Sequence, residues 1–303
     1  MSKTFEAAVA QCLGTQWVQR ASHKHRGGRN GQKGACYEDF FAAFKLAELL
    51  VQHIDAPPVD PPMMQQQAEA FVDDLQVTQP DAQEHHYYQC KNVASPSWGQ
   101  GYGSVAGDFE AHARVSSHMG QGQFTTCLVV PDPGLCHLLT QTMPSTITSH
   151  SEVQVFPYAD GSLNRMVLEH PPIRDVLEKL APSDAASDDV LVHILLVLGA
   201  AITKMSGAGD MLALLGHAQA VSPGMIRLMP WQMDGFALDP DFRAVLDRIE
   251  GLEYAVSRGF FHWKALGSSG MYPADCRSEE FSRFVRRVIR VSPRDFDAFE
   301  EQL

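Results

Sequence analysis

Two stretches alternate apolar and polar residues, AFVDDLQVT (70–78) and EHHYYQCKN (84–92), and only QPDAQ (79–83) separates them. A period of two is the pleat of a β-strand, and proline, aspartate and glutamine between such runs are turn chemistry. The pair therefore reads as a hairpin. Leu75 and Val77 take one side of the first strand, and Asp74 and Gln76 the other. On the returning strand Gln89 and Lys91 share a face, and Cys90 points to the opposite one.

The flanking pattern makes the fold α/β. YEDFFAAFKLAELLVQHI (37–54) has a polar stripe of Glu38, Lys45, Glu48 and Gln52, as a helix packed on one side would. Glu38 and Asp39 are expected in its first turn, where negative charge suits the helix dipole. APPVDPPMMQQQ (56–67), with four prolines, is expected to be irregular. After the hairpin come a glycine-rich loop (95–104), a helix (108–119), an apolar strand (123–132), a helical segment (133–143) and a short strand (152–158). This predicts one mixed α/β domain over 1–158. Residues 159–303 read as a mostly helical region, with helices over 172–181, 188–205, 209–220, 240–259 and 279–290 and a connection carrying Trp231. Residues 1–20 read as a short helix.

The sequence excludes some classes of protein. VLVHILLVLGAAI (190–202) is too short to span a bilayer, and MSKTFEAAVAQCLGTQWVQR lacks the build of a signal peptide. Six cysteines without CxxC spacing read as reduced thiols of a cytoplasmic protein, not as a zinc set. The net charge of −12 argues against nucleic acid until its distribution is considered. Residues 1–35 hold six lysines and arginines against Glu6 alone, and HKHRGGRNGQKG (23–34) concentrates Lys24, Arg26, Arg29 and Lys33. Glycines there would let a basic loop approach phosphates closely. Arg283, Arg286, Arg287 and Arg290 form a second cluster at helical spacing, which reads as a solvated helix face.

Cleaving a phosphodiester needs a divalent metal on the phosphate, an activated water and stabilisation of transition-state charge. Asp74, Gln89 and Lys91 offer a carboxylate, a carbonyl oxygen and an ammonium on adjacent strands. Glu38 adds a second carboxylate from the helix, and such oxygen donors suit Mg²⁺ or Mn²⁺. Asp74, Gln89 and Glu38 are the expected metal ligands, with Lys91 catalytic. Other candidates have plainer readings. His85 and His86 face opposite sides of their strand, Asp108 and Glu110 read as helix-start caps, and Cys90 reads as core. Trp98 and Tyr102 either contact DNA or pack their loop.

The order of these pieces carries a resemblance. GGRNGQKGACYEDFFAAFKLAELL, then VDDLQV, then YYQCKN resembles the dsDNA-endonuclease family of antiphage defence systems, the DUF4297 or Cap4-type branch of the PD-(D/E)xK superfamily. Gly27, Gly28, Gly34 and Tyr37 match its opening, Asp73 and Asp74 its acidic pair, and Gln89 and Lys91 its Q-x-K. The resemblance covers roughly residues 20–95. Glu38 departs from it, standing where the family usually has glutamine. The family's cyclic-nucleotide-sensing signature is absent from 159–303. The resemblance implies a restriction-endonuclease-like mixed sheet flanked by helices and Mg²⁺-dependent cleavage of double-stranded DNA. It also implies a sensor or activator protein encoded nearby, with residues 159–303 serving partner docking or homo-oligomerisation. The alternative is a catalytically inactive nuclease-fold adaptor or DNA-binding subunit, because a neutral glutamine is a weaker metal ligand than a carboxylate.

Overall fold

The computed structural model describes residues 3–27, 32–55, 59–158, 162–182, 186–205, 207–226, 237–257 and 259–303; the side chains of 3–4, 22–27, 32–35, 55 and 257 lie outside that description. Two helices open the chain, α1 (Lys3–Leu13) and α2 (Thr15–Gly27), parted by Gly14 at φ 98°. The next helix, α3 (Gln32–Asp55), begins five residues before the expected start. The basic segment 23–34 is thus helical through Gly27 and again from Gln32. Glu38 and Asp39 consequently lie beyond the first turn of α3, so dipole capping does not explain them.

The proline-rich segment yields a strand, β1 (Met63–Gln66), because its prolines end at Pro62 and the following residues can donate to a ladder. The hairpin forms as β2 (Leu75–Gln79) and β3 (Glu84–Cys90), paired antiparallel with Leu75 opposite Tyr88. Residues 70–74 are not part of the strand. Helix α4 (Val105–His118) leads to β4 (Gln123–Val130), and α5 (Pro133–Gln141) leads to β5 (Ser151–Val155). Both crossovers return the chain parallel, as helical connections do.

Helices α6 (Leu163–Glu169), α7 (Pro171–Leu180) and α8 (Asp188–Thr203) follow, then β6 (Ala208–Asp210) and α9 (Met211–Val221). The six-stranded mixed sheet has the order β5-β4-β3-β2-β1-β6. Strand alternation divides its residues between two cores. Tyr88, Cys90, Cys127 and Val129 face α3, α7, α8 and α9, while Tyr87, Leu128 and Val130 face α4 and α5. Phe41, fully buried against Tyr88 and Phe156, anchors α3 to the sheet. A boundary at residue 158 would cut through this core, because α7, α8 and α9 pack in the same cluster as α3 and β6 extends the sheet beside β1.

Among the described residues, a second cluster draws only on those from Leu238 onward. Its elements are α10 (Pro240–Leu246), β7 (Glu253–Ser257), β8 (Phe260–Ala265), β9 (Ser268–Met271), α11 (Glu279–Val291) and α12 (Phe296–Glu300). The helix expected over 240–259 stops early. Gly251 takes φ 75°, and EYAVS then pairs with the aromatic strand FFHWKA. The C-terminal part is therefore helix plus a three-stranded antiparallel sheet, not mostly helix. The Trp231 connection lies outside the described residues. All six cysteines are free thiols. Among the described residues, no helix is long and apolar enough to cross a membrane.

Candidate acidic site at the end of the central strands

The register of β2 and β3 continues past Leu75 to bring Asp74 beside Gln89. The Gln89 amide Nε2 donates a very short hydrogen bond to Asp74 Oδ2, and the Cys90 backbone N–H donates to the same oxygen at 2.7 Å. On the other flank, Gln67 N–H donates to the Asp74 carbonyl at 3.2 Å and Ala68 N–H to the Asp73 carbonyl at 2.8 Å. The acidic pair is thus held between the end of β1 and the end of β3, with both aspartates and Gln89 buried. A buried carboxylate held this way keeps one orientation, because one donor is a strand backbone N–H and the other a buried amide side chain.

Glu38 reaches this cluster from α3. Its Oε2 accepts a hydrogen bond from Gln67 Nε2 at 3.0 Å, and its neighbour Asp39 accepts from Gln66 Nε2 at 2.8 Å. Burial, then the charge of Asp74, push the Glu38 carboxyl up to about 8; Lys91 opposes the rise, and Asp39 and Asp73 add to it. These couplings place Glu38, Asp74 and Lys91 in one electrostatic neighbourhood. Lys91 itself is tied down by its backbone N–H, which donates to the Val129 carbonyl at 2.9 Å.

Gln66 and Gln67 belong to the site, although they fall in the segment whose prolines predict irregular structure. Gln67 sits at φ 51°, in the left-handed region that a non-glycine residue occupies only when its surroundings hold it there. Its Oε1 is buried and has no hydrogen-bond partner among the described residues. The signal available in the sequence was a run of three glutamines, 65–67, parted by two methionines from the last proline of that segment.

The donor set can be tested against a divalent cation. Among the described residues, no group of three or more His, Cys, Asp and Glu side chains is arranged to hold a metal. Mg²⁺ needs only one or two carboxylates, with waters and phosphate oxygens completing its shell. Glu38 and Asp74 supply two, and Gln67 Oε1, which has no hydrogen-bond partner among the described residues, is a neutral oxygen donor beside them; burial, and after it the charge of Asp74, disfavours the Glu38 carboxylate, which a bound cation would stabilise. The residues fit the ion.

Other candidates resolve individually. Asp108 is not a cap, since Ser104 caps α4 by accepting from Gly107 N–H. Asp108 instead forms a bidentate ion pair with Arg20, at 2.8 Å to each oxygen, and this fixes α2 against α4. Glu110 accepts from Thr146 Oγ1. His85 lies 3.3 Å from Thr78 Oγ1, and His86 lies 3.5 Å from Glu84. Trp98 is buried, donating from Nε1 to the Leu139 carbonyl, so it packs its loop. Tyr102 is exposed, with its ring edge against Trp17 and the Arg20 guanidinium over its face. Cys90 lies in the core, and burial holds its thiol well above the ordinary range. Of the expected DNA contacts, Arg29 and the side chains of Lys24, Arg26 and Lys33 lie outside the described residues.

No family model, curated protein or solved structure matches the chain.

Proposed function

We propose that the chain is a metal-dependent endonuclease acting on double-stranded DNA, with the restriction-endonuclease-like fold of the PD-(D/E)xK enzymes that its motifs resemble. The observation that carries this reading is the meeting of Asp74, held by Gln89 Nε2 and the Cys90 N–H, with Glu38, which accepts from Gln67 Nε2 at 3.0 Å; burial and Asp74 push the Glu38 carboxyl up, and Lys91 opposes the rise. Carboxylates crowded beside a lysine at a sheet end are what phosphate chemistry with a hard cation requires. Glu38 and Asp74 would hold Mg²⁺ or Mn²⁺, with a glutamine oxygen from Gln89 or Gln67. The bound ion would supply charge neutralisation at the phosphate and a more acidic water. Lys91 stabilises the extra negative charge that develops on the scissile phosphate. Gln89 and the Cys90 N–H orient Asp74. The basic segment with Lys24, Arg26, Arg29 and Lys33 grips the DNA backbone. In this reading the protein is a cytoplasmic effector of antiphage defence, restrained by a sensor or activator protein encoded nearby or by homo-oligomerisation.

One observation favours a second reading, a nuclease-fold adaptor without catalysis. Asp74 Oδ2 already accepts two hydrogen bonds, one of them from the amide of a neutral glutamine, and these occupy lone pairs that a metal would use. Purified protein incubated with supercoiled plasmid and MgCl₂ or MnCl₂, beside Lys91→Ala, separates the two. Metal-dependent nicking or linearisation that Lys91→Ala abolishes supports the enzyme. Cutting that survives the substitution removes the site assignment, and a lack of cutting with either metal favours the adaptor.

A further inference from the structure

Helix α11 carries its charge on one side. At about 100° per residue, Arg283, Arg286, Arg287 and Arg290 fall within an arc of roughly 100°. Phe281, Phe284, Val285 and Val288 occupy the opposite side and are buried in the C-terminal core. All four arginines are exposed, and so is Arg294 just beyond the helix. Arg248 joins them from the end of α10, donating from Nη2 to Ser292 Oγ at 3.0 Å. Residues 281–294 contain no acidic residue; Glu279 and Glu280, a turn before Arg283, mark the limit of the patch.

An ordinary solvated face mixes its signs; here the mixing stops at Glu279 and Glu280, and every charged residue from 281 to 294 is an arginine. Among the described residues, none of the five arginines from 283 to 294 is in an ion pair. Several nearby carboxylates are engaged elsewhere. Asp239 and Asp295 cap helices, Asp247 accepts from the Tyr254 hydroxyl, Glu253 pairs with Lys264, and Asp275 pairs with Arg277. In a chain of net charge −12, a localised run of arginines that forms no ion pair among the described residues points to an anionic partner.

We propose that this face of α11 binds the phosphodiester backbone of duplex nucleic acid without reading its sequence. Guanidinium forks match phosphate oxygens in bidentate geometry, and the patch holds arginine and no lysine. A single strand would want exposed aromatic rings on which bases stack, and the exposed large apolar residues of this region are Leu266 and Val291 alone among the described residues. A membrane-surface helix would present its apolar face to lipid, whereas the apolar face of α11 is spent on its own core. The surface goes beyond the cleavage reading and does not depend on it, because binding requires neither metal nor Lys91.

The test uses the full chain in EDTA, with fluorescence anisotropy of a labelled mixed-sequence duplex over a salt series. The variant R283Q/R286Q/R290Q spares Arg287, whose Nη2 donates to the Gln302 carbonyl at 2.6 Å. The expected result is binding weakened about tenfold or more, with a salt slope flatter by about 2–3. R283K/R286K/R290K keeps the charge and is expected to keep most of the slope, which separates charge from folding. Unchanged affinity and slope in the glutamine variant would overturn the proposal. So would phosphatidylserine vesicles binding more tightly than the duplex with the same arginine dependence. The assay holds no metal and reads no cutting, and the plasmid assay reads only cutting, so failure of this surface and failure of the nuclease reading are distinguishable.

Discussion

Glu38→Gln tests the electrostatics of the acidic site without any substrate. The Glu38 carboxyl stands at about 8 in the folded chain, against 4.5 for an unperturbed glutamate. Between those values the folded state binds more protons than the unfolded one, so stability falls as pH rises through that window. The penalty is absent below 4.5 and complete above about 8. At about 1.36 kcal/mol per pH unit the full span amounts to roughly 4–5 kcal/mol. Glu38 retains some solvent contact, and screening reduces this to about 2 kcal/mol. Glu38→Gln removes the charge and keeps the shape, including an oxygen for Gln67 Nε2. In EDTA the substituted protein should melt about 5 °C above the unsubstituted one at pH 8.5 and within a degree or so of it at pH 5. Thermal melts by circular dichroism at several pH values measure the difference. A difference that stays constant from pH 5 to 8.5, or that reverses sign, would refute the reasoning.

Three further outcomes follow from contacts elsewhere. Asp108→Ala leaves Arg20 without its bidentate partner in a part-buried setting, and urea unfolding should show a loss of about 3 kcal/mol. Gly107→Ala places a Cβ 2.0 Å from the Gly101 carbonyl oxygen; the loop carrying Tyr102 must move, and limited proteolysis should cut it faster than in the unsubstituted chain. Phe41→Ala empties the contact between α3 and the sheet and should cost about 3–5 kcal/mol by denaturant titration.

Where local period and burial agree, the fold was legible. The alternation in AFVDDLQVT and EHHYYQCKN gave the hairpin and put Cys90 opposite Gln89, and the apolar run at 123–132 gave β4. What failed was set by tertiary pairing. Met63–Gln66 has no strand signal of its own and becomes β1 because β2 and β6 flank it. PDFRAVLDRIEGLEYAVSRG has the look of one helix, but Gly251 turns it and β8 captures its second half. The site shows the same division. Asp74 and Gln89 were readable as neighbours across a hairpin, whereas Gln66 and Gln67 enter through β1 and had no periodicity to reveal them. The Arg20–Asp108 pair joins residues far apart in sequence, which no local pattern encodes.

The central claim is that Glu38 and Asp74, with a glutamine oxygen, surround one divalent cation. Calorimetric titration of Mn²⁺ into the metal-free chain, in buffers of different ionisation enthalpy, tests it most directly. At pH 7 the account expects one Mn²⁺ per chain with close to one proton released, because a carboxyl standing at about 8 must lose its proton to become a ligand. The released proton should largely disappear at pH 9, and Asp74→Asn should abolish binding. Absence of a Mn²⁺ isotherm, or one that Asp74→Asn leaves unchanged, would contradict it.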